Sequence, residues 1–324
     1  MKRLLIFVAV CLATAAQATI LRVSNVVNSG APYTTIPDAI AAATAGDTII
    51  VDGSPDVYNT QTGSGGSLVI DKRLVLMGPG YLLTENGVKL NGDQAATLTR
   101  DLEVAAEATG TIIQGLQLQC SGYIDIQATN VVITRCKIDC PVYIATIATN
   151  FVLHQNLITK VLGRASYNNY RPYNAQVTNN IFTFANNSPS NGTIVAFRES
   201  KIAYNTITKA NVKGSSTIIS DIQGCTVENN IFFGDEVTYD GNTLTNNYWG
   251  NATSPLKGCT TDLDVQKVMQ TNTDLPADKG AFAGDDPYVI SGIPAGPTIE
   301  DITVPATIEQ GGTLNVTIKL GIQK

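Results

Sequence analysis

Seven short segments of the chain, IIQGLQL, VITRCKI, VLHQNLI, QVTNNIF, KIAYNTI, TVENNIF and TLTNNYW, superimpose without internal gaps. Their first apolar column contains Ile113, Ile133, Leu153, Val177, Ile202, Val227 and Leu244. Five residues later a second column contains Leu118, Ile138, Ile158, Phe182, Ile207, Phe232 and Trp249. Between them lie Leu116, Cys136, Asn156, Asn180, Asn205, Asn230 and Asn247, a run that ends in five asparagines. Asparagine tolerates left-handed backbone and can hydrogen-bond its own kind above and below. Three residues before the first column stand Gly110, Asn130, Asn150, Asn174, Glu199, Gly224 and Gly241, and all but Glu199 are types that accept a positive φ at little cost.

Two corners and two apolar columns therefore keep fixed offsets while the unit length changes through 20, 20, 24, 25, 25 and 17 residues. Insertions must fall outside the aligned core. Strand, corner, strand, with inward Ile, Leu, Val and Phe, is the pattern of a parallel β-solenoid in which each coil pairs with the next about 4.8 Å away. The alternative, an antiparallel sandwich, requires hairpin signals between strands and no stacked asparagines. The predicted fold class is all-β, a single-stranded right-handed parallel β-helix whose handedness follows the rule for parallel crossovers.

Open terminal coils expose unpaired edges and need covers. In YTTIPDAIAAATAGDTIIV, Thr35 can cap a short helix with Pro37 and Asp38 in its first turn, and Gly46 can stop it before a strand at Thr48 to Val51. Further coils are expected around residues 67–80. TTDLDVQKVMQTN predicts a brief second helix, and PTIEDITVPATIEQGGTLNVTIKL predicts two strands around Gly311-Gly312. The expected division is 1–18 leader, 19–255 β-helix with its N-terminal cap, and 256–324 C-terminal cap and hairpin.

Composition supports this picture. The 324 residues are 44% hydrophobic, 15% charged and 6% aromatic with 28 glycines, which argues against both disorder and a helical bundle. A net charge of −6 offers no positive field for nucleic acid.

The opening MKRLLIFVAVCLATAAQA sets Lys2 and Arg3 before an apolar stretch that closes in Ala16-Gln17-Ala18, an A-x-A cleavage pattern that predicts a mature start at Thr19. That stretch is short for a membrane span and no later one approaches the roughly 18–20 residues required, so a secreted protein without membrane insertion, extracellular or periplasmic, is expected. A lipid anchor on Cys11 is disfavoured by the branched Val10 before it. Loss of Lys2 and Arg3 takes the charge from −6 to −8. Cys120, Cys136, Cys140, Cys225 and Cys259 then remain, an odd number that leaves room for one pair but no complete disulfide framework. With one histidine and no C-x-x-C, zinc ligand sets are missing.

The string YTTIPDAIAAATAGDTIIVDG followed by asparagine-rich coils resembles the right-handed parallel β-helix superfamily that includes pectate and pectin lyases, alginate and chondroitin lyases and polygalacturonases. The resemblance spans roughly residues 33–255 and concerns architecture. The catalytic motifs of that group are mostly absent. Arg171-Pro172-Tyr173 lacks the spacer and second arginine of R-x-P-x-x-R, Asn272-Thr273-Asp274 lies beyond the coils with no G-H-G, and FRESKIAYNTI matches a lysine-and-arginine lyase pattern only loosely through Arg198 and Lys201.

Sites on solenoids lie in a lateral groove walled by loops, which draws attention to the longest insertion, residues 159–174. It brings Lys160, Arg164 and Arg171 together with Tyr167, Tyr170 and Tyr173, suited to sugar carboxylates and sugar faces; the plainer reading is a surface loop glued down by tyrosine. Glu199, the exception in its corner column, stands between Arg198 and Lys201. In a lyase, Arg171, Arg198, Glu199 and Lys201 would neutralise a uronate carboxylate and move the adjacent proton; the plainer reading is an exposed ion cluster. Arg171 and Asp221 occupy one offset two coils apart with Ala196 between, about 10 Å, so no direct ion pair is expected. His154, one residue after inward Leu153, is expected in solvent without a catalytic role. Asp235, Glu236 and Asp240 offer oxygen ligands, making Ca2+ the only candidate cofactor, against a solvated turn as the alternative. The sequons at Asn191 and Asn251 carry no weight in so Asn/Thr-rich a chain.

The expected function is a monomeric secreted β-helix that binds an acidic or plant-type polysaccharide, with β-elimination as the chemistry if the groove is catalytic. The competing expectation is a non-enzymatic scaffold or adhesin that uses the solenoid face.

Overall fold

A computed structural model describes residues 18–58, 66–87, 94–160, 162–163, 169–183, 193–208, 219–233, 236, 238–250, 254–305, 307 and 313–323. Lys2, Arg3, Cys11, Ala16, Arg164, Tyr167, Asn191, Asp235, Asn251 and Gly311-Gly312 lie outside the described residues.

The chain winds as a right-handed parallel β-helix. Among the described residues ten strands stack on face A, from Ile20–Val23 and Thr48–Val51 through Val75–Met77, Ile112–Gln114, Val132–Thr134, Val152–His154, Gln176–Thr178, Lys201–Ala203 and Thr226–Glu228 to Thr243–Thr245, and eight on face B, from Thr97–Leu98 to Tyr248–Gly250. A third face, C, is absent from the two-column sequence pattern: Leu68–Ile70, Leu102–Val104, Ile124–Ile126 and Val142–Ile144 pair in order, and Leu162 bridges from Val142 to Ile194, whose strand pairs with Ile219–Ser220.

Every member of the first column is in register with its neighbour, Ile113 with Ile133, Leu153, Val177, Ile202, Val227 and Leu244 in turn. Leu76, Ile49 and Leu21 extend it to the N-terminus. Ile113, Ile133, Leu153, Val177, Ile202 and Val227 are fully buried, as are Phe182, Ile207 and Phe232 in the second column. Each such side chain contributes about 1.5–3 kcal/mol of gross burial free energy, and no coil realises it without the next.

Both corners bend through left-handed residues, one as expected and one with a shift. Gly110, Asn130, Asn150, Asn174, Glu199, Gly224 and Gly241 all have positive φ, Glu199 at 47°. At the corner between faces A and B, however, the left-handed residue is not the ladder asparagine but the one before it: Gly115, Arg135, Gln155, Asn179, Tyr204, Asn229 and Asn246, at φ between 52° and 66°. The ladder residue itself turns inward. Asn180 Nδ2 donates to Asn205 Oδ1 (3.0 Å) and to the Leu153 carbonyl (2.9 Å), and the Asn180 backbone N–H donates to the same Asn205 oxygen (3.0 Å). The pattern repeats from Asn156 through Asn247, so buried corner amides that no strand can serve are satisfied by the next coil.

Helix α1 (Ile36–Ala42) starts at Thr35, whose hydroxyl accepts from Asp38 N–H, and buries Ile36, Ala39 and Ile40 in the core beside the first coils. Its last carbonyls are met from the third coil, where Lys72 Nζ lies 3.1 Å from the Ile40 carbonyl. Helix α2 (Asp262–Thr271) carries a capping box between Thr261 and Asp264.

From α2 the chain returns along the outside of the solenoid. Leu157, Ile181 and Ile231, which point out of face B, are buried against Leu256, Val265, Leu275, Ala281 and Tyr288 in a second core. Beyond it the strap meets the A–B corner coil by coil. Lys279 bonds Asn246 (2.8 Å), Gly280 the Asn229 carbonyl (2.9 Å), Ala283 accepts from Asn179 (2.9 Å), Asp286 from Gln155 (2.9 Å) and Ile293 from Arg135 (3.0 Å). Gly292 sits so close to the Arg135 carbonyl that a Cβ would collide with it. The strap is pinned by Asp262, which accepts from Ser291 N–H (2.7 Å), Asn86 (3.0 Å) and the Tyr288 hydroxyl (3.3 Å), and by the hydroxyl pair Tyr81–Tyr288. Burial raises the Asp262 carboxyl above its ordinary range against these donors. Gly296–Thr303 and Thr317–Gln323 then form an antiparallel pair.

Candidate functional site

Face C and its corner toward face A gather the aromatic and cationic groups. The strands Leu102–Val104, Ile124–Ile126 and Val142–Ile144 bury their first and third residues and turn the middle one outward, so Glu103, Asp125 and Tyr143 stand in register. Tyr123 precedes its strand, and its ring centroid lies 5.0 Å from that of Tyr143. Tyr170, from the long insertion, meets Tyr143 edge-on at 6.0 Å. Its hydroxyl lies 3.4 Å from Asp125 Oδ2, which also accepts from Gln127 Nε2 at 3.0 Å. The result is a line of three tyrosines along the coil axis, with Tyr123 39% exposed.

The line continues into an ion triad. Arg171 N–H donates to Thr146 Oγ1 (3.0 Å), which fixes the backbone beside Tyr170. Arg171 Nη1 then lies 2.7 Å from Asp221 Oδ2, and Arg198 Nη2 lies 2.8 Å from Asp221 Oδ1. The expectation that Arg171 and Asp221 stand too far apart is thus overturned. Two rungs separate their backbones, but Ala196 between them carries only a methyl group, too small to obstruct an extended arginine. Two guanidiniums on one carboxylate leave a net positive charge at a partly exposed surface.

The other candidates are placed as follows. Tyr173 pairs its backbone with Arg198, and Arg198 with Gln223, in a further parallel ladder at this corner. Glu199 is exposed, follows Arg198 directly and joins none of the ion pairs among the described residues. Lys201 belongs to face A and pairs there with Glu228 at 2.8 Å, not with the triad. Lys160 follows the face B strand Leu157–Ile158 and is half-buried. The structure therefore brings Tyr170, Arg171 and Arg198 together with Tyr123, Tyr143 and Asp221, which the sequence reading of the site passed over or set aside.

His154 does point outward, but the strap covers it. Its side chain is 18% exposed, Nε2 lies 3.0 Å from Asp286 Oδ2 and Nδ1 2.8 Å from Thr178 Oγ1. Burial lowers its pKa below the usual imidazole value despite the carboxylate. Cys120 and Cys140 form a disulfide between adjacent coils, while Cys136 and Cys225 are buried thiols and Cys259 is half-buried. Among the described residues no group of three or more His, Cys, Asp and Glu side chains is arranged to hold a metal ion, and no helix is long and apolar enough to cross a membrane.

No protein-family model matches the sequence, and no curated protein matches it. The chain is similar to a solved structure. Pectin methylesterase PemA from Erwinia chrysanthemi superimposes on 78% of this chain and 96% of its own, with 13% sequence identity and a TM-score of 0.34.

Proposed function

We propose that the chain is an exported glycan-binding β-helix whose ligand, an acidic polysaccharide strand, lies along face C parallel to the solenoid axis. The observation that carries this reading is the Tyr123–Tyr143–Tyr170 line running into Arg171 and Arg198. Aromatic faces accept the apolar faces of sugar rings, and planar guanidiniums accept carboxylates in pairs. The coil spacing of about 4.8 Å is close to the length of one pyranose unit, so successive sugars meet successive coils. The leader pattern before Thr19 and the Cys120–Cys140 disulfide support export, since disulfides persist in oxidising compartments.

The test is affinity electrophoresis through gels containing polygalacturonate, alginate or a neutral glucan. Retardation by the acidic polymers, reduced at least tenfold in apparent affinity by Tyr143→Ala and by Arg198→Ala, is expected; equal mobility in all gels would refute the reading. The same incubations read cleavage. Ultraviolet absorbance from unsaturated ends marks elimination, and reducing ends without it mark hydrolysis.

A further inference from the structure

The first coil begins at the residue where the leader pattern ends. The Thr19 carbonyl accepts from Thr48 N–H at 2.9 Å, and Ile20–Val23 pairs in parallel with Thr48–Val51. The Thr19 nitrogen lies 2.7 Å from Asp47 Oδ1. Asp47 is only 3% exposed, and its second oxygen accepts from both the N–H (2.7 Å) and the hydroxyl (2.9 Å) of Thr44. These donors, from Thr19 first and Thr44 next, hold the Asp47 carboxyl down to about 2, so it is an anion at neutral pH. Ala18, Thr19 and Ile20 are exposed, so the Ala18–Thr19 bond stands at the rim of the solenoid while its nitrogen faces a buried carboxylate.

We propose that removal of the leader after Ala18 completes the fold, by turning the Thr19 amide nitrogen into an ammonium seated on the Asp47 carboxylate. The inference rests on the export reading above. In the step itself a leader peptidase adds water across the Ala18–Thr19 peptide bond. The hydroxyl goes to the Ala18 carbonyl carbon, and the Thr19 nitrogen leaves with the bonding pair and takes up two protons, one from the water and one released as the new Ala18 carboxyl ionises to a carboxylate. Where one amide N–H served Asp47 before cleavage, an ammonium serves it afterwards, and a hydrogen bond charged on both sides is stronger and shorter.

The position magnifies the effect. Among the described residues Ile20–Val23 is the outermost strand of face A, paired along its length on one side, with a single bridge from Val23 to Tyr33 on the other. Terminal strands of this kind open first, and a lock at the chain start opposes that opening.

The experiment exports the full chain, identifies the first residue of the purified product by mass, and melts four species: the product itself, the product acetylated at its α-amine, Asp47→Asn, and acetylated Asp47→Asn. The expected results are Thr19 at the start, a melting temperature lowered by about 2–4 °C on acetylation, and no further drop when Asp47→Asn is acetylated. A product starting elsewhere overturns the leader reading and this inference together. A Thr19 start with no effect of acetylation, or with equal drops in both backgrounds, overturns the lock and leaves the export reading standing.

Discussion

Arg171 passes over a whole intervening coil, above Ala196, to place Nη1 2.7 Å from the Asp221 carboxylate, whose other oxygen is held by Arg198 of that intervening coil. On the function proposed above, Asp221 occupies the position that a sugar carboxylate would take on the same two guanidiniums. Asp221→Asn removes the competitor. The expected result is stronger retention on acidic glycan gels with unchanged mobility on neutral ones. Because the triad is partly exposed, the change in unfolding free energy should stay below about 1 kcal/mol, as read by denaturant titration.

The asparagine ladder carries a larger share of stability. Asn205 accepts from the backbone and side chain of Asn180 and donates to Asn230 Oδ1 and to the Val177 and Ala203 carbonyls. Asn205→Ala leaves several of these buried groups without partners. A loss of about 2–4 kcal/mol is expected from denaturant midpoints, with glycan binding by the surviving folded fraction unaltered.

The single histidine gives a clean view of the strap. Burial lowers the folded-state pKa of His154, so protonation favours the unfolded chain. Its contribution to stability is intact above the unfolded value of about 6.5 and is lost as pH falls below it toward the lower folded value. NMR titration of the imidazole should report a midpoint below about 6.5, and Asp286→Asn should move it lower still, since that carboxylate favours the charged ring. A midpoint above the ordinary value would show that the strap does not bury the ring.

Thiol reactivity should separate the three free cysteines among the described residues. Burial pushes the Cys136 thiol up to about 12 and raises Cys225 as well, so neither should react with a thiol reagent in the folded protein, while half-buried Cys259 should label slowly. Reducing Cys120–Cys140, which closes a loop of 20 residues, should cost about 3 kcal/mol in stability. Mass spectrometry after labelling, and melting with and without reductant, check the two statements.

What the sequence shows well is whatever recurs at a constant offset. Faces A and B are legible because five residues always separate Ile113 from Leu118 or Val227 from Phe232, and the left-handed corner at Asn130 and Asn150 recurs with them. Face C is hidden by its variable spacing: Val104 stands nine residues before Ile113, but Ile126 only seven before Ile133. Tyr123 and Tyr143 are hidden with it. The Arg171–Asp221 pair is not legible from backbone spacing, which ignores how far an arginine reaches. The strap leaves still less trace, since it meets the coils through scattered polar contacts with no fixed sequence offset, such as Gln155 with Asp286 over 131 residues of chain.

That strap also limits how this molecule can change. Stacked coils can ordinarily be gained or lost one at a time, because each touches only its neighbours. Here Lys279 and Ile293 are tied to Asn246 and Arg135, five coils apart, through a linker of fixed length. Deleting one coil would put every later tie out of step at once. The returning segment works as a measuring tape, and a lineage that keeps it keeps its number of coils.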